Sequence, residues 1–490
     1  MTATFGKRRA RLHAMTRFHI PIPDMGGQAS SGPAPGNGTA TSGPGGDRFS
    51  LGLWAVVGCQ FTGAFNDHFF KMMASLIAIE VGRGGGGGSA FLSLSGIVYV
   101  LPFLLFSGFA GALADRFEKR TVMIFAKGSE ALIAALALYA LLIGDIALIL
   151  AVLFLFAAQS AFFSPPKYGI LPDIVAPRAL PRANGLIEFS RYVAIIGGTA
   201  IAGVLSSFWG RNSLGLGLLI VAVALLGWIW SLAIPALGAR PPSSVQPGDR
   251  ASRRRVGIRL VLRHPKLRLL VSLTTGLDFA MTLVSLVVLL MAKRTMALGD
   301  LESGLLIALA GIGIAAGAML AGLLSRGRAE LGFLPLGAAG VSAALIILSG
   351  STRSYPLAAF ALTAMGASTG FLVVPLYTAL QKTAPAGERG RVIGANNFFN
   401  MGGVLVGSAL LWVLHDGFGL SPQAILLTVA LGVLIPAVSA LGRSARLRAR
   451  VSLLMAVAWE SIHRILLFGL AWVRHVSGDL ATWPITRRNR

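Results

Sequence analysis

Apolar runs of about twenty residues recur from one end of this 490-residue chain to the other, and no other feature limits its fold as strongly. A run of that length crosses a ~30 Å hydrocarbon core as a helix, with every backbone polar group satisfied inside the segment. The chain is 54% hydrophobic and 13% charged, roughly half the charged share of a soluble domain. An all-α, multi-pass membrane protein follows. Twelve spans are expected at about 51–80, 90–113, 121–143, 146–164, 183–208, 214–237, 269–292, 302–325, 331–349, 355–380, 392–414 and 422–441.

The formal net charge of +24 would suggest nucleic acid in a soluble protein. Placed against the spans, the charge has another cause. One side of the membrane receives the arginines and lysine near the start of the chain, then Arg116, Lys119 and Arg120, then Lys167, Arg178 and Arg182. To the same side fall Arg240 to Arg268, Arg326, Arg328, Lys382, Arg389, Arg391 and Arg443 to Arg450. The other side receives Arg83, Arg211, Lys293, Arg294 and Arg353. This is the positive-inside pattern, with both termini in the cytoplasm and a secondary attraction to anionic membrane lipid. No nucleic-acid partner is implied. The single cysteine, Cys59, permits no intramolecular disulfide.

The expected organisation is a disordered cytoplasmic tail (1–48), a six-helix bundle (49–238), a cytoplasmic hinge linker (239–268) and a second six-helix bundle (269–442). A basic segment with an amphipathic interfacial helix around 451–473 follows (443–490). The glycine run Gly84–Gly88 reads as a flexible outer connector. The two bundles repeat. At a constant offset of 209, Phe162 meets Phe371, Pro166 meets Pro375, Tyr168 meets Tyr377, Arg182 meets Arg391, Gly185 meets Gly394 and Phe189 meets Phe398. Repeats of this kind place a substrate site between the halves, the layout of a secondary transporter.

Ionisable groups at hydrocarbon depth mark that site, because each is costly unless paired or facing a wet cavity. The stretch Phe65–Lys71, FNDHFFK, carries Asn66, Asp67, His68 and Lys71 inside the first span. Asp67 and Lys71 stand i,i+4 with the acid first, the favoured order for a pair. Span five carries Glu188 and Arg191 at i,i+3, and span eleven carries Asn396, Asn397 and Asn400. Asp278 of span seven matches Asp67 after a slip of two residues, and Gln159 of span four is a further candidate. The competing reading of the asparagines is interhelical packing by hydrogen bonds.

Gly111–Arg120, GALADRFEKR, lies between spans two and three. It resembles the signature loop of the major facilitator superfamily, which implies a twelve-helix bundle of that type. The resemblance makes Asp115 a conformational gate that pairs with neighbouring helix ends, with Arg116 and Arg120 as its partners. Glu118 departs from the family's glycine, and Ser325 stands where the second-half copy would carry the acid. The arginine of proton-coupled members in span four is absent, as is the Gly-Pro of drug antiporters in Ile195–Gly203.

FNDHFFK, ADRFEKR and FFSPPKYGILPDI together resemble the bacterial lysophospholipid transporters, with His68 departing from the expected asparagine. The resemblance implies an inner-membrane, monomeric carrier that moves lysophospholipid, chiefly lysophosphatidylethanolamine, inward for reacylation. It also implies a separately encoded acyltransferase and acyl-acyl-carrier-protein ligase as partners, since some relatives are fused to these. Such a head carries phosphate and ammonium together. Lys71 or Arg191 suits the phosphate and Asp67, Glu188 or Asp278 the ammonium, while Phe65, Phe69 and Phe70 suit the acyl tail. No catalytic residue, cofactor or metal site is read. Alternatives are an exporter of an amphipathic drug or siderophore, and a lipid acyltransferase or its membrane module. His19 and Asp24 have an acyltransferase spacing, but Pro21 and Pro23 lie between them in a tail too polar to hold a catalytic geometry.

Overall fold

The computed structural model describes residues 50–83, 88–209, 214–237, 250–325 and 330–445, together with 448, 449, 451, 452 and 455. The expected tail, the glycine run but for Gly88, the first part of the linker and nearly all of the interfacial helix lie outside the described residues.

Thirteen helices of fourteen residues or more make up the described chain. They are α1 (Leu51–Arg83), α2 (Gly88–Arg116), α3 (Lys119–Ile143), α4 (Ile146–Ile174), α5 (Leu180–Trp209), α6 (Leu214–Leu232) and α7 (Arg250–Arg263). The rest are α8 (Pro265–Leu290), α9 (Asp300–Leu324), α10 (Phe333–Gly350), α11 (Tyr355–Thr383), α12 (Arg389–Trp412) and α13 (Pro422–Arg443). All but α1 and the short basic α7 contain a window apolar enough to count as a span, eleven in all. The exception α1 is 33 residues long and is diluted by Gln60, Asn66, Asp67, His68 and Lys71. It completes the twelve.

Local chemistry sets the ends. Asp145 caps α4 by accepting from the Leu148 N–H at 2.9 Å, and Ser354 and Ser421 sit at the N-caps of α11 and α13 with proline in the first turn. Gly144 ends α3 with a φ of 73°, which a side chain would resist. One expectation fails at α4. The span is expected to end near 164, yet the helix runs through Pro165 and Pro166 to Ile174. Lys167 is thereby a buried residue of the span, not the loop cation that the charge count made it. A second difference is α7, a helix within the expected linker.

Burial is arranged for a lipid solvent. Phe125, Leu132 and Phe208 are each at least 75% exposed on the outside of the bundle, while one core fills the space among α1, α3, α4, α5 and α6 and another that among α8, α10, α11 and α13. The first six spans meet the last six chiefly where α2 crosses α12 and where α5 crosses α9. Both crossings need glycine. A Cβ on Gly111 would stand 2.5 Å from the Gly390 carbonyl oxygen, and one on Gly185 would stand 2.6 Å from that of Ala318. Backbones that close are a membrane-helix device for gaining van der Waals contact.

Candidate functional site

A cavity of about 310 Å³ lies between the two sets of spans. Into it project Gln60, Asp67 and His68 from α1, Tyr99 from α2, Lys127 from α3, and Gln159, Ser160, Ser164, Lys167 and Tyr168 from α4. Arg191 of α5, Asp278 of α8, Tyr377 of α11, and Asn397 and Asn400 of α12 complete the polar lining. Of the residues expected at the site, Asp67, His68, Arg191, Asp278, Asn397 and Asn400 therefore share one chamber. The match of Asp67 with Asp278 holds in space.

Other expectations fail. Asp67 and Lys71 form no ion pair: Asp67 accepts a hydrogen bond from Ser160, and the Lys71 ammonium sits over the Tyr99 ring, 4.5 Å from its centroid. The i,i+4 spacing allows a pair on one helix, but partners from other helices compete for both groups. Asn66 is fully buried inside the first set of spans, where it donates to Glu130 at 3.3 Å and to the Ile220 carbonyl at 3.2 Å. Asn396 is likewise buried between α8 and α12 and accepts from Thr274 at 2.6 Å. These two asparagines hold helices together. Phe65, Phe69 and Phe70 belong to the first core and do not line the chamber.

Glu188 and Arg191 do pair, at 2.7 Å, and both guanidinium contacts go to Oε2. The other carboxylate oxygen accepts from the Tyr168 hydroxyl at 2.5 Å. Arg191 is a third exposed and faces the chamber, with Glu188 sealed behind it.

The sequence reading passed over a second charged set. Lys127 and Glu130 are wholly buried and 2.6 Å apart, and Gln159 donates to the same Glu130 oxygen at 3.1 Å. This is the self-neutralised pair, with its spare lone pairs satisfied, that a dry interior requires. Lys167 differs. Its ammonium donates to the Gln60 side-chain oxygen at 2.5 Å and lies 4.2 Å from the centre of the Tyr168 ring, with no carboxylate in ion-pair reach among the described residues. Asp67 is its counterpart, since Oδ1 is buried and lacks a hydrogen-bond partner. The chamber thus holds an unpaired cation and a half-satisfied carboxylate. Lys127, Glu130 and Lys167 carry the same signal as Asp67, a charge at hydrocarbon depth.

One end of the chamber is closed. Tyr168 and Tyr377 stack at 4.8 Å. Beyond them Asn184 donates to Gln381 at 2.8 Å and to Thr378 at 3.0 Å, and Gln381 donates to the Tyr168 carbonyl at 3.2 Å. Asp173 then takes Lys119 at 2.7 Å and Arg389 at 3.0 Å. Outermost, Asp115 accepts from the Gly390 and Arg391 N–H groups at 2.6 and 2.9 Å. Those are free donors of the first turn of α12, where a carboxylate gains both hydrogen bonds and the helix dipole. The helix-end pairing expected of Asp115 is present, but Arg116 and Arg120 are not its partners. Arg116 lies against Phe117, and Arg120 donates to the Ile234 and Leu232 carbonyls at the end of α6. Ser325, at the corresponding place in the second half, is turned back onto the Ala321 carbonyl.

Comparison with known proteins supplies the context. The family model described as Major Facilitator Superfamily matches residues 53–408. The lysophospholipid transporter LplT of Cronobacter sakazakii is 30% identical over 380 residues, covering 76% of this chain and 89% of that protein. The Yersinia pestis protein of the same name is 29% identical over 373 residues, covering 74% and 86%. Among solved structures, the human organic anion transporter MFSD10 aligns with a TM-score of 0.64 at 18% identity, covering 79% of this chain and 98% of that one. The Escherichia coli fucose:proton symporter FucP gives 0.63 at 16%, covering 80% and 98%.

Proposed function

The chain belongs to the Major Facilitator Superfamily, within its bacterial lysophospholipid transporter family, and we propose that it carries lysophosphatidylethanolamine-like lipids across the inner membrane by alternating access. The observation that carries the proposal is the unspent opposite charge in one chamber, Lys167 on one hand and Asp67 on the other, with Asp278 in the same lining. A zwitterionic head crossing hydrocarbon loses its water without replacement. Here Lys167 and Arg191 replace it at the phosphate, and Asp67 and Asp278 at the ammonium. His68, Asn397 and Asn400 add neutral donors and acceptors.

By the positive-inside rule the closed end faces the cytoplasm, so this state is open or opening outward. Loading draws Lys167 and Asp67 onto the cargo, and the energy difference between loaded states shifts the balance between the two openings. Delivery is to the cytoplasmic leaflet, where a separate acyltransferase restores the second chain.

Uptake of radiolabelled lysophosphatidylethanolamine by spheroplasts tests this. Lys167→Gln and Asp278→Asn should each lower uptake about tenfold or more, because hydrogen bonds to charged groups are worth roughly 1.5–3 kcal/mol. Lys71→Ala should stay close to wild type. Wild-type uptake by both cavity variants, at equal protein levels, would overturn the assignment.

A further inference from the structure

A second hollow, about 520 Å³, lies where α7, α8 and α12 meet. Its walls are apolar, with Leu262, Val271, Phe279, Phe399 and Val406 among them, and Arg268 stands at one end. From Arg268 to Phe279 the groove follows eleven residues of α8, ~16 Å at 1.5 Å each. That is about half of a ~30 Å hydrocarbon core, the depth of one leaflet. The Thr275 hydroxyl, which donates to Asn400 at 3.1 Å, and the packing of Gly403 on the Thr275 carbonyl wall the groove off from the central chamber.

The rim fixes what fits. Residues 250–268 contain eight Lys and Arg and no Asp or Glu. Arg268 lines the hollow, and Arg259, Arg263 and Lys266 of the same segment are exposed; none of the four forms an ion pair with a described carboxylate. A zwitterionic head would find no partner for its ammonium at such a rim, whereas an anionic head finds only partners. Basic pockets between membrane helices on the positive side hold anionic lipid heads in this way.

We infer that this groove binds one anionic diacyl phospholipid of the surrounding leaflet, one acyl chain lying along Phe279 and Val406 and the phosphate at Arg268 and the α7 arginines. The lipid is not cargo. It braces α7 against α12, whose backbone already touches Gly257 of α7 at Arg391, in the turn that Asp115 holds. Occupancy therefore favours the closed basic end.

The test uses the full chain in detergent, titrated with phosphatidylglycerol or phosphatidylcholine and read by native mass spectrometry and thermal melting. Phosphatidylglycerol should bind and raise the melting temperature, and phosphatidylcholine should do neither. Gly402 lines the groove and has no atom within 4 Å of an added Cβ, so Gly402→Leu has room to enter the groove and should weaken binding about tenfold or more, its four-carbon side chain standing where the acyl chain would lie. The triple variant Arg259→Gln, Arg263→Gln, Arg268→Gln should weaken it about a hundredfold. Asp278→Asn, a cavity change, should bind phosphatidylglycerol as wild type does, even if it no longer transports. Equal binding of the two lipids, wild-type affinity in Gly402→Leu, or displacement of phosphatidylglycerol by lysophosphatidylethanolamine would each overturn the inference.

Discussion

Lys127 and Lys167 are both buried lysines of the first bundle, and their surroundings give them opposite fates. Lys127 has a full carboxylate partner at 2.6 Å and no exposed surface, so its charge is already spent inside the protein. Removing the partner leaves a buried ammonium without a counter-charge. Glu130→Ala should therefore cost about 3–5 kcal/mol of stability, seen as a lowered melting temperature in detergent, and Lys127→Met with Glu130→Leu should recover most of it. If the single variant melts like wild type, the pair is not the structural unit described. Lys167 has a neutral acceptor and an aromatic face instead, which is the environment of a group awaiting a ligand. The sequence disclosed Asp67 and Arg191 because each interrupts an apolar run. Lys167 lies three residues past the expected end of its span and so counts as a loop cation, and nothing local ranks Lys71 below Lys167, since that depends on which neighbouring helix faces each ammonium.

Helix ends carry the gate that we propose. Asp115 closes the outer end of α2 on the first turn of α12, and the Gly111–Gly390 crossing beneath it leaves no room for a side chain. Asp115→Asn keeps the shape but gives up the charge, and hydrogen bonds to charged groups are worth roughly 1.5–3 kcal/mol. The basic end should open more often in this variant. Ser107, fully buried beside Gly394, reports it: in a Ser107→Cys background, labelling by a membrane-impermeant maleimide from the basic side should speed up several-fold. The only native cysteine, Cys59, is buried and adds little background. Gly394→Leu should act in the same direction and more strongly, because its side chain would meet the Ser107 carbonyl. Unchanged labelling in both variants would show that the crossing is not the gate. The loop motif pointed to a helix-end contact for Asp115, yet its partners are main-chain groups 275 and 276 residues away, which no local pattern in the sequence specifies.

At the scale of the molecule, the gapless offset of 209 has a spatial meaning. Tyr168 and Tyr377 are equivalent positions and stack on each other, while Gly185 and Gly394 are equivalent and each admits a helix from the opposite half. The repeat could be read from the chain because close helix packing tolerates few residue types at these points. Its distortion could not: Ser325 breaks the symmetry at the gate, and α7 inserts a basic helix on one flank alone. The two halves should therefore respond unequally. Asp173→Asn, which frees both Lys119 and Arg389, should add to Asp115→Asn in the maleimide assay, whereas Ser325→Ala should leave labelling unchanged; a strong effect of Ser325→Ala would sink this asymmetry. There is a final consequence of the Asp115 contact. Its donors are amides of the peptide chain, so the side chain at position 391 can change without removing them, whereas Gly111 and Gly390, which let the backbones meet, and the one carboxylate on the far helix cannot.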